Sequence, residues 1–306
     1  MRSRSRPPSQ PTRTRWRTIR CPERPTRHQG RSAQHRESRH GLVRRLRLSP
    51  ALRFVGAVQF PVHLFETGES SDRVSTPATV SIVVPTLNEA PRIDACLRRL
   101  RSDFPDCELV VVDGGSTDAT ADRAARHTHT VSGVAGRAIQ MNAGAAVTTG
   151  DILWFIHADC WVPADALQLL RRAVLDPGVV GGGLRLRFDQ RSLGLDYLAA
   201  SSNLRARRLH WIFGDQAMFV RRDVFDSVGG FPEIPLMEDL EMSRILRRRG
   251  RLVVLPTTVT ASARRLVEQG PWRMTALMQL LKLQYLLGVD PERIRRRYEA
   301  GTPRPR

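Results

Sequence analysis

Lysine is almost missing from this chain: Lys282 stands alone among 49 basic residues, and all the others are arginine. A cationic surface shaped for a polyanion would be expected to mix the two. The skew therefore reads as a coding bias towards arginine, and the net charge of +19 says little about partners. Its distribution says less still. Residues 1–53 hold sixteen arginines against Glu23 and Glu37, so +14 of the +19 falls there and residues 54–306 carry only +5. Cysteine is sparse too. Cys21, Cys96, Cys107 and Cys160 form no CxxC pair, which excludes zinc-ribbon spacing and a disulfide framework, and points to a reducing, cytoplasmic setting. No uncharged apolar run reaches the roughly 18 residues of a membrane span. The basic N-terminus lacks the apolar core and small-residue cleavage site of a signal peptide. A P-loop is excluded because the only lysine lies far from any glycine-rich strand end, and neither HExxH nor GxSxG occurs.

With 41% hydrophobic residues in 306, the chain has material for a real core, in one large domain or two small ones. That core does not begin at once. From Met1 to about Pro50 the composition is Arg, Pro, Ser, Thr and Gln with no hydrophobic period, so the segment reads as a solvated tail or as upstream sequence from a misassigned start. Residues 51–65 are apolar but broken by Pro61, and a Gly/Ser/Asp linker follows. The expected plan is an extension over 1–75, an α/β domain over 76–260, and a helical extension over 261–306 that packs on it. Strands are expected at Val80–Pro85, Glu108–Asp113, Asp151–Ile156, Val179–Phe188, Ala217–Val220 and Arg251–Leu255. Helices are expected at Arg92–Arg101, Thr117–His127 with Ser116 as its cap, Arg137–Val147, Ser192–Leu209 and from Glu238 onward. This alternation implies βαβ units and a mostly parallel sheet covered by helices on both faces. Met274–Val289 is apolar at helical spacing but interrupted by Gln279, Lys282 and Gln284. It is expected to pack on the domain or in a homodimer, with an interfacial helix at a membrane as the sharper alternative.

Ligands of a parallel α/β sheet sit outside the carboxyl ends of its strands. Three consecutive strand ends here carry polar residues. The first is followed by Thr86-Leu87-Asn88-Glu89, the second closes on Asp113-Gly114-Gly115-Ser116, and the third is followed by His157-Ala158-Asp159. Each has an ordinary local reading: Asn88 and Ser116 as helix caps, Asp113 as a turn former, His157 as a satisfied strand-end histidine. Their position on one rim is what suggests a site. The paired glycines are not a dinucleotide fingerprint, which needs GxGxxG directly after the first strand, where PTLNE stands instead.

PTLNE, VVVDGGSTDAT, FIHAD and MEDLEMSRILRRRG, in that order, resemble the signatures of family 2 glycosyltransferases of the GT-A fold, over about Val80 to Gly250. GRAIQMNAG, GDQAMFVRR, GGFPEIPLMED, SARR and YLLGVDPERI extend the resemblance to a subfamily associated with radical-SAM and selenodomain genes, also described as arsenosugar-biosynthesis transferases. The resemblance implies transfer of a sugar from a nucleotide-diphosphate sugar to an acceptor hydroxyl, with Mn²⁺ or Mg²⁺ as cofactor. It makes Asp159 the metal ligand. The usual Asp-x-Asp begins with His157 here, which leaves open whether that residue meets the metal, the sugar or the diphosphate. Donor binding would fall to Pro85, Thr86, Asn88, Glu89, Asp113, Gly114, Ser116, Arg137, Gln140, Asn142 and His157, with Asp113 on the nucleobase and Arg137 at the diphosphate. Asp239 would be the base that takes the acceptor proton, oriented by Glu238, with inversion at the anomeric carbon. The same two acids also suit the first turn of any helix. Gly214, Asp215 and Gln216 would shape the acceptor side, and Arg264 and Arg265 would close over the diphosphate. The acceptor itself, whether small molecule, glycan or lipid-linked, is not spelled out.

Three rivals remain. A nucleotidyltransferase would want a basic, glycine-rich loop after the first strand, and PTLNE lacks it. A GT-A-like protein could bind nucleotide sugar without turnover. A nucleic-acid-binding protein acting through the arginine-rich arm would need basic or aromatic clustering in the folded part, whose net charge is small. Nucleic acid is therefore not the expected partner.

Overall fold

Val80–Thr86 is mostly β-branched and uncharged, and it forms β1, buried along nearly its whole length. The computed structural model describes residues 77–133 and 135–302, all within one unit, Ser71–Arg306. The expected extension over residues 1–75 therefore lies outside the described residues. After β1 come α1 (Ala90–Asp103), β2 (Glu108–Asp113), α2 (Thr120–Ala125), β3 (His129–Ser132), α3 (Arg137–Ala146) and β4 (Ile152–Phe155). Next are β5 (Cys160–Trp161), α4 (Ala166–Ala173), β6 (Val179–Phe188) and α5 (Leu193–Leu209). A 3-10 turn at Gly214–Gln216 leads to β7 (Phe219–Arg221), α6 (Arg222–Ser227), α7 (Glu238–Leu246) and β8 (Arg251–Ala261). The chain closes with α8 (Arg264–Gln269), α9 (Pro271–Leu286) and α10 (Pro291–Gly301).

The eight strands form one sheet in the order β3-β2-β1-β4-β7-β6-β8-β5. The first four are parallel, as the βαβ pattern predicts. Beyond β4 the sheet is mixed: β7 runs antiparallel to both β4 and β6, and β5 antiparallel to β8. Short β7 returns beside β6 after α5 and the 3-10 turn, running antiparallel to it. The two shortest pieces missed in the sequence, β3 and β5, have too few residues to show a period.

Alternation along the strands sorts the core onto two faces. Val80, Ile82 and Val84 of β1, with Ile152, Trp154 and Ile156, join Ile93, Leu97 and Leu100 of α1. Val83, Leu153 and Phe155 point the other way, onto Ala138 and Met141 of α3. A third, smaller cluster joins Met237 and Leu240 to Leu281 of α9 and Ile294 of α10. Two serines precede helices. Ser192 caps α5, accepting from the Leu195 amide. Ser116 caps no helix, because α2 starts later, at Thr120; its hydroxyl instead accepts from the Asn88 amide and donates to Asp113.

Candidate active site

The carboxyl ends of β1 and β4 open onto a cleft of about 250 Å³. Pro85, Thr86 and Glu89 form one wall, Arg137 and Gln140 of α3 a second, and His157 and Asp159 the floor beyond β4. Arg265 reaches over from α8. Glu89 is buried and anchors this lid: its carboxylate receives Arg265 at 3.1 Å, Arg92 at 3.2 Å and Arg264 at 3.8 Å.

Glu238 and Asp239, at the first turn of α7, lie behind the cleft lining and meet it through Arg137. Met237 before them sits at φ 72°, a left-handed conformation that costs a non-glycine residue roughly 1–2 kcal/mol. Burial of its side chain against Leu240 and Leu281 offsets that cost and turns both acids inward. Glu238 and Asp239 are 3% and 7% exposed. Arg137 lies between them, 3.2 Å from Glu238 Oε1 and 3.8 Å from Asp239 Oδ2. The two acids hold its guanidinium firmly protonated. Asp239 Oδ2 accepts from the Gly214 amide at 2.9 Å, while its Oδ1 is buried with no hydrogen-bond partner. Burial, and then the neighbouring Glu238 charge, push Asp239 up to about 7, against the opposing pull of Arg137.

Gly214 is where these groups meet. A Cβ there would stand 2.5 Å from His157 Nε2 and 3.1 Å from Asp239 Oδ2, so only glycine lets the turn pass between them. His157 Nε2 is itself buried and unpartnered. Burial, aided by Arg137, lowers the imidazole to about 4, leaving it neutral and able to ligate through that nitrogen. Donor atoms of His157, Asp159 and Cys160 all lie within 4.8 Å of one another. A neutral imidazole nitrogen and a carboxylate this close, beside an open cleft, fit a divalent cation.

Several sequence-named residues do other work. Asp113 is 2% exposed, and its carboxylate accepts from the Gly115 and Ser116 amides and the Ser116 hydroxyl, so it builds the turn rather than lining the cleft. Asn88 Oδ1 accepts from the Thr117 amide, tying the loop after β1 to the loop after β2. Gln140 borders the cleft, but its amide donates to the carbonyls of Thr86 and Val112, both at 2.8 Å, bracing β1 against β2. Gly114 leaves room for that brace, since a Cβ would meet the Gln140 amide at 3.0 Å. Asn142 faces away from the cleft and clamps the backbone of Phe231 through both its amide atoms. Gln216 is buried, bonded to Arg205 and to the Leu184 carbonyl. Asp215 is half-buried, with Oδ1 enclosed and unpartnered, and desolvation raises it. Leu87 and Gly136 also line the cleft and carry no signal that sequence reasoning could have used.

A mixed sheet of this order, with an acid-bearing strand end below a cleft, is a GT-A-like fold. The mannosyltransferase PcManGT of Pyrobaculum calidifontis, solved with GDP-Man and Mn²⁺, superposes with TM-score 0.51 at 24% identity, over 68% of this chain and 63% of its own. Glucosyl-3-phosphoglycerate synthase of Mycobacterium tuberculosis, solved with Mn²⁺, UDP and phosphoglyceric acid, gives 0.50 at 21% identity, over 69% and 79%. Residues 81–229 match the profile of Glycosyl transferase family 2. Among curated relatives, the PGL/p-HBAD biosynthesis glycosyltransferase of Mycobacterium bovis is 33% identical over 171 residues, 49% of this chain and 62% of that protein. Glycosyltransferase AglE of Haloferax volcanii is 27% identical over 174 residues, 52% of this chain and 57% of that protein. The chain thus spans less than two thirds of the length of these curated relatives.

Proposed function

We propose that this protein transfers a sugar from a nucleotide-diphosphate sugar to an acceptor hydroxyl, inverting the anomeric carbon, with Asp239 as base. The carrying observation is a chain of neighbours beside a cleft at the strand ends: Asp159 next to His157, His157 and Asp239 on either side of Gly214, and Arg137 against Asp239. Donor nucleoside lies against Pro85, Thr86 and Glu89, and Arg137 meets the diphosphate at the start of α3, where free backbone amides add partial positive charge. Asp159 holds the cation, with His157 Nε2 as a second donor; a nitrogen ligand favours Mn²⁺ over Mg²⁺. When bound, the cation neutralises charge that develops on the departing diphosphate. Arg264 and Arg265 exchange Glu89 for the donor as it enters.

Asp239 takes the acceptor proton at its unpartnered Oδ1, while the Gly214 amide keeps Oδ2 in place. A carboxylate with a value near 7 is well matched to that task at neutral pH. Glu238 holds Arg137, which lies between base and donor. Gly214 and Asp215 face the acceptor, a small molecule, glycan or lipid-linked molecule. Motifs such as GRAIQMNAG support a place in the radical-SAM and selenodomain-associated subfamily. The free thiols of Cys96, Cys107 and Cys160 support a reducing, cytoplasmic setting.

The test is thermal stabilisation of the full chain by a panel of nucleoside diphosphates, with and without Mn²⁺. A nucleotide at about 100 times its dissociation constant adds roughly 2.7 kcal/mol. A metal-dependent shift lost in Asp159→Ala, together with an Asp239→Asn variant that binds nucleotide but transfers no sugar, is the expected result. A folded protein that no nucleotide stabilises would remove the reading. Donor binding with no transfer to any acceptor hydroxyl would favour a binding protein without turnover.

A further inference from the structure

Helix α9 is apolar around most of its circumference, and such a helix is ordinarily covered on every side. The described residues cover only one. Leu281 faces inward with Met237, Leu240 and Ile294, and the polar Thr275 and Lys282 are buried as well, the Lys282 ammonium lying 5.7 Å from the Phe213 ring. The other side carries Trp272, Leu280, Leu283 and Leu287, which are 58%, 50%, 54% and 74% exposed. At 100° per residue they share an arc of about 80°, together with Ala276. Leucines point outward while the chain's single lysine points in, the reverse of what water alone would select. Helix α5 repeats the pattern with Leu193, Tyr197 and Leu204, at 83%, 53% and 58% exposure. The two faces meet where the Tyr197 and Trp272 rings stack at 5.6 Å.

We propose that this face docks onto an anionic lipid bilayer, with α5 and α9 lying in its interface. Charge selects that occupant. Residues 269–289 contain no acid, α5 has only Asp196, and exposed Arg207, Arg208 and Arg273 flank the apolar stripe. On the neighbouring α10, Arg293, Arg296 and Arg297 are exposed as well, while Glu292 and Glu299 are paired with Arg295. Tryptophan and tyrosine at the junction suit the headgroup boundary, where one edge of the ring is wet and the other dry. No helix among the described residues is long and apolar enough to cross a membrane, so the surface lies on the bilayer rather than through it. A second copy packed on the same face would bring its arginines towards a surface with almost no acids to pair them. The proposal does not depend on the transfer chemistry, and its failure would leave the active-site reading intact.

Flotation of the full chain with phosphatidylcholine vesicles, with and without phosphatidylglycerol, at low and high salt, tests it against the variant Leu280→Glu/Leu283→Glu. Both proteins carry the arginine-rich N-terminal segment, so its electrostatic binding is a shared background that high salt suppresses. The wild type is expected to float with phosphatidylglycerol vesicles and to keep part of that binding in salt. The variant, with an unchanged melting temperature, should partition about tenfold less or worse. Should it not fold, Leu287→Glu replaces it at the most exposed position on the helix. Equal flotation of wild type and variant, or flotation of neither, overturns the proposal. A wild-type dimer by light scattering that the variant breaks, without lipid binding, assigns the face to a second copy instead.

Discussion

Replacing Asp239 with asparagine should make the protein more stable, and increasingly so as pH rises. The carboxyl has an ordinary value of 3.8 and is pushed to about 7 by burial and by Glu238. A raised acid contributes nothing below the unfolded value, where both states are protonated. Between the two values the unfolded chain ionises and the folded one does not, so stability falls, and above about 7 the loss is complete. The full penalty is about 4 kcal/mol, at 1.36 kcal/mol for each unit of displacement. At pH 5 roughly a third of it is already present, and by pH 8 nearly all of it. The gain of Asp239→Asn over wild type should therefore grow by about 2 to 3 kcal/mol between pH 5 and pH 8. Effects of the substitution on packing are the same at both pH values and cancel, and asparagine keeps an oxygen for the Gly214 amide. Urea unfolding of both proteins across that range measures the difference directly. A difference that stays constant with pH would show that Asp239 titrates as an ordinary carboxyl. The wild-type transfer rate should rise through about pH 7 as the same group becomes able to accept a proton.

Gly214→Ala places a methyl 2.5 Å from His157 Nε2, so transfer should drop about a hundredfold through misplacement of His157 and Asp239, with a stability loss of about 1–3 kcal/mol; kcat and a urea midpoint separate the two effects. Gln140→Met keeps the volume but removes the donor to the Thr86 and Val112 carbonyls, and should cost about 2–3 kcal/mol in urea unfolding. Asp159→Ala should abolish any Mn²⁺-dependent part of nucleotide stabilisation while leaving melting of the free protein within about 1 kcal/mol, since the residue is only half-buried.

Local order was legible because local physics produces it. β1, β2, β4 and β6 are apolar-rich runs; β2 and β6 have the bounds expected from sequence, β1 differs by one residue at one end and β4 by one at each. The helix expected from Ser192 is α5, with Ser192 as its cap one residue before the first turn. Ser116 misled because a serine before a helical run looks the same whether its hydroxyl caps a helix or closes a turn with Asp113. Asn142 misled for a related reason: nothing in GRAIQMNAG tells which side of α3 faces the cleft, and packing turned Asn142 onto Phe231.

By itself, then, the sequence determined the strand–helix alternation, the polar rim after the parallel strands, and the family signatures, because each depends on residues close together in the chain. Only the tertiary structure decided that Arg137 would meet Glu238 across about a hundred positions, that Gly214 would separate His157 from Asp239, and that the sheet would turn mixed beyond β4. It also decided that Lys282 would turn inward and its neighbouring leucines outward. Those outcomes depend on long-range packing and desolvation, and on which face of each element is covered, and no local pattern of residues carries that information.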